Sequence, residues 1–325
     1  MAAPGALAKG NLELETNTNL MFRKNSFFHQ LYRIPVTTGF LLLITLTAAG
    51  PATAQDLFVS TWPGSITEFT PVGLQSTFAS GLSESSGVAF DSAGNLYEAD
   101  MGSGNIYKFA LNGTKSTFAS GLSSPRGLAV DSSGNVFITQ GSGYVTKFMP
   151  DGTQSTVAAI SGVPQGLAFN NAGDLFVAWG AYQLNSDRII EITPDGMQSD
   201  FAIGMNAPTG LAFDSTGNLF VSDLNGSIYK FDPNGLSSTF ATGLNAPFGL
   251  AINGADVLYV VEANSGKIDE FTPGGTESTF ASGLNSPTYL AIEPVPEPST
   301  VTLGGLGLAL LFICRRQIVE WRPKS

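Results

Sequence analysis

A segment of about 40 residues recurs along this chain from residue 56 to residue 294. Its shared text runs P-x-G-L-A-F-D-S-x-G-N-L-F-V-x-D, then I-x-K-F-x-P-N-G, then S-T-F-A-S-G-L. A unit of that length with four short strand-like runs cannot bury both faces of its own small sheet. Stacking neighbours in a ring does so, which predicts an all-β propeller with four-stranded blades. Aligned on the residue before the glycine, units start at Ser86, Arg126, Gln165, Thr209 and Phe248, and a sixth at Thr288 breaks off after TYLAIEP. The missing part of the sixth unit stands at the front of the repeats, as DLFVSTWPGSITEFTPVGLQSTFASGL (residues 56–82). The last strand is therefore expected to pair with the first three. That closes a ring of six blades and leaves no sheet edge between first and last.

Within a unit, Gly210-Leu211-Ala212-Phe213 reads as the innermost strand and Leu219-Phe220-Val221 as the second, with Asp214-Ser215-Thr216-Gly217-Asn218 as turn chemistry between them. Ile228-Tyr229-Lys230-Phe231 alternates as a half-buried third strand should, and Ser238-Thr239-Phe240-Ala241 is the outer strand. Phenylalanines recur in register. Phe69, Phe109, Phe148, Phe231 and Phe271 mark the third strand, with Ile192 in their place in one unit; Phe78, Phe118, Phe201, Phe240 and Phe280 mark the fourth. These rings are expected to fill the wedges between blades.

Both ends read as addresses. Residues 1–54 form a leader whose effective start is Met21. Arg23, Lys24 and Arg33 give a basic region, Gly39–Thr47 an apolar run, and Ala52-Thr53-Ala54 a small-x-small site for signal peptidase after Ala54. Residues 55–294 are then the propeller and 295–325 a tail. In the tail, Pro296, Glu297 and Pro298 precede an apolar run, Val301–Cys314, followed by Arg315 and Arg316. The run is short beside the roughly 20 residues of a membrane span, and the arginines follow the positive-inside rule. The order of motif, apolar stretch and basic tail resembles the PEP-CTERM sorting signal of Gram-negative bacteria. That resemblance implies a transient membrane anchor, an exosortase as processing partner, and delivery to the cell surface or the exopolysaccharide.

Between 55 and 294 the chain has no cysteine and no histidine, since His29 lies in the leader and Cys314 in the tail. Stability then rests on repeat packing rather than disulfides. About 22 acidic residues face about 7 basic ones in that span, so nucleic acid is not an expected partner. The domain is expected to be a monomer.

Two loop sets should converge on one end of the ring. The loops before the inner strands present Ser86, Arg126, Gln165, Thr209, Phe248 and Thr288; those after the second strands present Thr61, Asp100, Gln140, Trp179, Asp223 and Glu262. The repeat text is similar to NHL repeats, which implies an interaction module, and to the regucalcin/gluconolactonase superfamily, which implies a six-bladed enzyme. Lactonases of that superfamily hold a divalent metal largely through acidic residues and asparagine, several of them just before the inner-strand glycine. Here that column has no carboxylate and includes Arg126, whose charge opposes a cation; calcium wants several anionic oxygens. The histidine-dependent relatives, paraoxonase-like enzymes and antibiotic lyases, are not matched by a domain without histidine. An enzyme reading needs Asp100, Asp223 and Glu262 to gather calcium or to supply a general base; the same residues also read as turn caps at strand ends. Asp131-Ser132-Ser133-Gly134-Asn135 lacks the spaced acids of an EF-hand and reads as hairpin chemistry. Between Trp179 and Arg188 the chain inserts GAYQLNSD, lengthening one loop on the same rim.

The expected function is binding or scaffolding at the envelope or in exopolysaccharide, without a cofactor, through Trp62, Arg126, Trp179, Tyr182 and Phe248. A metal-dependent hydrolase or lactonase at Asp100, Asp223 and Glu262 is the alternative, and a cation-binding acidic matrix protein a third reading.

Overall fold

The computed structural model describes residues 55–180 and 187–295. The leader with Ala54, the loop residue Tyr182, and the tail with Pro296, Glu297, Pro298, Arg315 and Arg316 lie outside the described residues. Among the described residues no helix is long and apolar enough to cross a membrane.

The repeat folds as read. Blade 1 begins with β1 (Leu57–Thr61), β2 (Ser65–Phe69) and β3 (Gln75–Ser80). Blade 2 is β4 (Ser85–Phe90), β5 (Leu96–Asp100), β6 (Asn105–Phe109) and β7 (Lys115–Ala119). Blade 3 is β8 (Pro125–Val130), β9 (Val136–Gln140), β10 (Tyr144–Phe148) and β11 (Gln154–Ala159). Blade 4 is β12 (Val163–Phe169), β13 (Leu175–Gly180), β14 (Asp187–Ile192) and β15 (Gln198–Met205). Blade 5 is β16 (Pro208–Phe213), β17 (Leu219–Asp223), β18 (Ser227–Phe231) and β19 (Ser237–Thr242). Blade 6 is β20 (Pro247–Ile252), β21 (Leu258–Glu262), β22 (Lys267–Phe271) and β23 (Glu277–Ala281). The last strand, β24 (Pro287–Ile292), returns to blade 1 and completes it in the order β24-β1-β2-β3. Leu57 pairs with Ile292 and Thr61 with Pro287, so both ends of the chain zip the ring shut.

The turn between first and second strands shows why Asp-Ser-x-Gly-Asn recurs. Asp131 Oδ1 accepts the Ser133 and Asn135 amides at 2.9 Å each, and Asn135 Nδ2 donates to Asp131 Oδ2 at 2.7 Å. Every short bond to that carboxylate is local, the chemistry of an Asx turn rather than of a calcium loop.

The wedges between blades are aromatic. At the blade 1–2 junction Phe78 meets Phe58 at 5.0 Å and Phe109 at 5.4 Å, edge to face. The junction of blades 4 and 5 repeats this with Phe201 against Phe176 at 5.0 Å and Phe231 at 5.5 Å. Such pairs add about 0.5–1.5 kcal/mol each beyond area burial, and six clusters of buried apolar residues run around the ring in this way.

Nearer the axis the inner strands almost touch. A Cβ on Gly127 would lie 2.3 Å from the Gln165 carbonyl oxygen of the next blade, and one on Gly210 would lie 2.3 Å from that of Phe248. Only glycine allows that approach.

Candidate functional site

The end of the ring where inner strands begin is shaped by one device used six times. Pairing of the first with the second strand slips between Ser85 and Val88, Pro125 and Leu128, Pro164 and Leu167, Pro208 and Leu211, and Pro247 and Leu250, with the corresponding irregularity opposite Val59 and Thr61 in the closing blade. A bulge there re-aims the residue before the glycine. In alternate blades a hydroxyl on the second strand takes up the amide released by the bulge. The Gly127 N–H donates to Thr139 Oγ1 at 2.8 Å, the Gly210 N–H to Ser222 Oγ at 2.7 Å, and the Tyr289 N–H to Ser60 Oγ at 3.0 Å. Thr139 Oγ1 in turn donates to the Gln165 carbonyl at 2.6 Å and Ser222 Oγ to that of Phe248, stitching one blade to the next.

The mouth opens onto a closed floor. Val88, Leu128, Leu167, Leu211, Leu250 and Leu290 line a central cavity of only about 50 Å³. On that floor stand Ser86, Gln165 and Thr209, all buried, with Arg126, Phe248 and Thr288 half-exposed. Arg126 Nη1 donates to Gln165 Oε1 at 3.3 Å; its Nε is buried and makes no hydrogen bond. The ion pairs among the described residues are Lys108–Asp91, Arg188–Asp200 and Lys230–Asp214, so Arg126 is not neutralised by a carboxylate. Phe248 leans edge-on against Tyr289 at 5.1 Å. Trp62, on the β1–β2 loop, is 52 % exposed, and Tyr144, at the head of β10, is 46 % exposed.

Trp179 behaves differently from the rim position expected of it. It is 7 % exposed, its indole Nε1 donates to the Ser161 carbonyl, and the Arg188 guanidinium covers the ring at 4.4 Å from its centre. Arg188 is held there by Asp200 at 3.0 Å. The ring packs with Ile160, Leu167 and Ile190. It is packed as a seal between blades 3 and 4.

The three carboxylates of the alternative reading are each spent within their own connection. Asp100 Oδ2 accepts the Ser83 amide at 2.8 Å and Oδ1 the Ser103 amide at 3.0 Å. Asp223 accepts Asn206 at 2.8 Å and Asn225 at 3.1 Å, and Glu262 accepts Asn245 at 2.8 Å and the Ser265 hydroxyl. Gln140, at the same place in blade 3, accepts the Ser123 amide at 2.9 Å without any charge. Burial acts to raise the Asp100 pKa, and the amides of Ser83, Ser103 and Glu84 outweigh it and hold the group below the ordinary aspartate value. Burial raises Asp223, as does the charge of Asp187, against amides that pull the other way. Among the described residues no three histidine, cysteine, aspartate or glutamate side chains group to hold a metal ion. The donor set does not fit calcium, because each carboxylate is already engaged by donors of the loops before and after its own strand.

Two features escape a reading by columns of loop residues. Glu98 is fully buried in β5, in a column that elsewhere holds Val59, Ile138, Val177, Val221 and Val260. A cavity of about 710 Å³ opens not at the mouth but between blades 3 and 4 at the opposite end, where the first-to-second-strand turns lie.

Comparison with known proteins agrees with this geometry and adds the tail. A protein-sorting family model matches residues 294–317. The tail carries a PEP-CTERM protein-sorting motif. It marks the chain for export and membrane anchoring through an exosortase in a Gram-negative envelope. No curated protein matches the chain in sequence. Solved propellers match its fold. A nidogen/laminin complex superposes with TM-score 0.67 at 21 % identity, covering 74 % of this chain and 98 % of that one. A gluconolactonase of Xanthomonas campestris gives 0.60 at 16 %, covering 74 % and 89 %, and a streptogramin B lyase gives 0.57 at 17 %, covering 75 % and 88 %. At these identities the likeness is one of fold.

Proposed function

We propose that this PEP-CTERM chain is a binding or scaffolding module of the cell surface or its exopolysaccharide, acting through the mouth of the propeller without a covalent step. Arg126 carries the reading. It is a cation at the centre of a concave rim, bonded to Gln165 and to no carboxylate, in a molecule of net charge −11. Its remaining guanidinium donors suit a ligand rich in oxygen acceptors, as a polysaccharide is. Trp62 and Phe248 supply apolar ring surface of the kind that packs on sugars, and Tyr182 is the aromatic residue of the sequence inserted between Trp179 and Arg188. The closed channel floor favours capture of a chain or surface across the mouth over passage of a small substrate to a deep centre. The lactonase-like neighbours share the fold, and the carboxylates that a metal-dependent reaction would need here are engaged with backbone amides.

The test is calorimetric titration of the protein with exopolysaccharide purified from the producing cells. Arg126→Ala should weaken binding roughly tenfold or more, the scale of one lost charged hydrogen-bonding group, with the melting temperature nearly unchanged. Binding that is equal in the variant would remove the mouth from the account.

A further inference from the structure

Each junction between blades is filled from four places, which in five of the six are an aromatic ring on the second strand, a phenylalanine on the fourth, the last residue of the next inner strand, and a phenylalanine on the next third strand. Between blades 2 and 3 these include Tyr97, Phe118 and Phe148, with Phe118 5.1 Å from Tyr97 and 6.1 Å from Phe148. Between blades 5 and 6, Phe240 lies 5.0 Å from Phe220 and 5.6 Å from Phe271. In five junctions the central contact is a pair of rings, one from the fourth strand and one from the next third strand. Between blades 3 and 4 both rings of that pair are gone. Val157 replaces the first and Ile192 the second, while Phe137 and Phe169 keep their edge-to-face contact at 4.9 Å. The two substitutions fall at the same junction, and the cavity of about 710 Å³ opens there, lined by Phe137, Val157, Phe169 and Ile192 among others. That volume is in the range of small-molecule sites, roughly 300–1,000 Å³.

The walls also carry three charged side chains, Lys147, Asp131 and Asp195. Lys147 lies 5.4 Å from the centre of the Phe137 ring and lines the cavity. Its counterparts Lys108 and Lys230 occupy the same place over Tyr97 and Phe220 and pair with Asp91 at 3.8 Å and Asp214 at 3.9 Å. Lys147 makes no ion pair among the described residues. The matching Asp131 accepts the same turn bonds as Asp91 and Asp214 but forms no ion pair with Lys147.

We infer that the blade 3–4 cleft is a binding site for a small molecule carrying a phenyl-sized aromatic ring and an anionic oxygen substituent. The ring takes the place of the missing side-chain pair, edge to face with Phe137 and Phe169, and the anion meets Lys147. The other five junctions show the shape that fits this slot, and Lys147, the wall cation with no ion pair among the described residues, supplies the partner for the substituent. The site is independent of the mouth at the other end of the ring.

The probe is 4-fluorobenzoate, titrated into the full chain and followed by its fluorine resonance. The wild type should show saturable binding in the millimolar range or tighter. Val157→Phe, which restores the residue found on the five other fourth strands, should weaken it at least tenfold with the melting temperature equal or higher. Lys147→Met should weaken it as well. No saturable binding to the wild type, or equal binding to a folded Val157→Phe variant, would overturn the assignment.

Discussion

Glu98 shows how much one side chain can set against a repeat. Five blades place valine or isoleucine at its position, and here a fully buried carboxyl faces Ser85 and the Ser86 amide without closing a hydrogen bond to either. Burial, with a smaller contribution from the charge of Asp100, pushes its pKa from 4.5 up to about 8, against the pull of Ser85, Lys115 and the Ser86 amide. Between those values the folded chain holds the neutral acid while the unfolded chain is ionised. Folding therefore takes up a proton, and stability falls as pH rises, by up to about 1.4 kcal/mol per pH unit. The contribution is complete below pH 4.5 and lost above about 8. Denaturant melts of the wild type and Glu98→Gln should run close together at pH 4 and separate progressively to pH 8, with the variant the more stable. A gap that does not change with pH would show an ordinary carboxyl. The substitution is legible in the aligned repeat as a carboxylate in an aliphatic column, although period alone does not reveal that the column is sealed. Arg126 is legible too, as the cation before a glycine; its want of a carboxylate partner is not, because partners come from other blades.

At the scale of strands and turns, the sequence is transparent where chemistry is local. The Asp-x-x-Gly-Asn turns, the split blade and the phenylalanine registers all appear as the text predicts, since each follows from contacts within a unit or its immediate neighbour. The second-strand ends are less transparent. Asp100, Asp223 and Glu262 align as a rim column, yet strand direction turns them onto the loop that enters their own blade, and Trp179 turns onto Ser161 in the same way. The hydroxyl stitches are equally hidden. Ser60, Thr139 and Ser222 alternate with Ala99, Ala178 and Val261, and only the bulge explains them. Thr139→Val keeps the shape and removes the oxygen, leaving the Gly127 amide and the Gln165 carbonyl without that partner. The expected loss is about 1–3 kcal/mol, read as a lower denaturation midpoint at constant m-value. No loss would mean that the bulge is satisfied without the stitch.

As a whole the molecule is a closed ring with two distinct ends. Both chain termini of the propeller meet at the end opposite the mouth, where Gln55 Nε2 donates to the Glu293 carbonyl at 2.6 Å and the Glu293 amide to that of Asp56 at 2.9 Å. A chain anchored by the tail that follows Val295 is therefore tethered from that end, and the mouth with Arg126, Phe248 and Trp62 lies at the other. The sorting motif and the propeller are thus separate parts of the chain. Ring closure by β24 was readable from the broken sixth unit, while the closed floor was not, since six aliphatic side chains meet there from six separate blades. The most direct measurement is hydrogen-exchange mass spectrometry of the intact protein with and without the exopolysaccharide. The account predicts slowed exchange in the segments leading into β8 and β20 and in the β1–β2 loop around Trp62, with the opposite end unchanged. Protection confined to the blade 3–4 cleft or to the turns at the tethered end would contradict it.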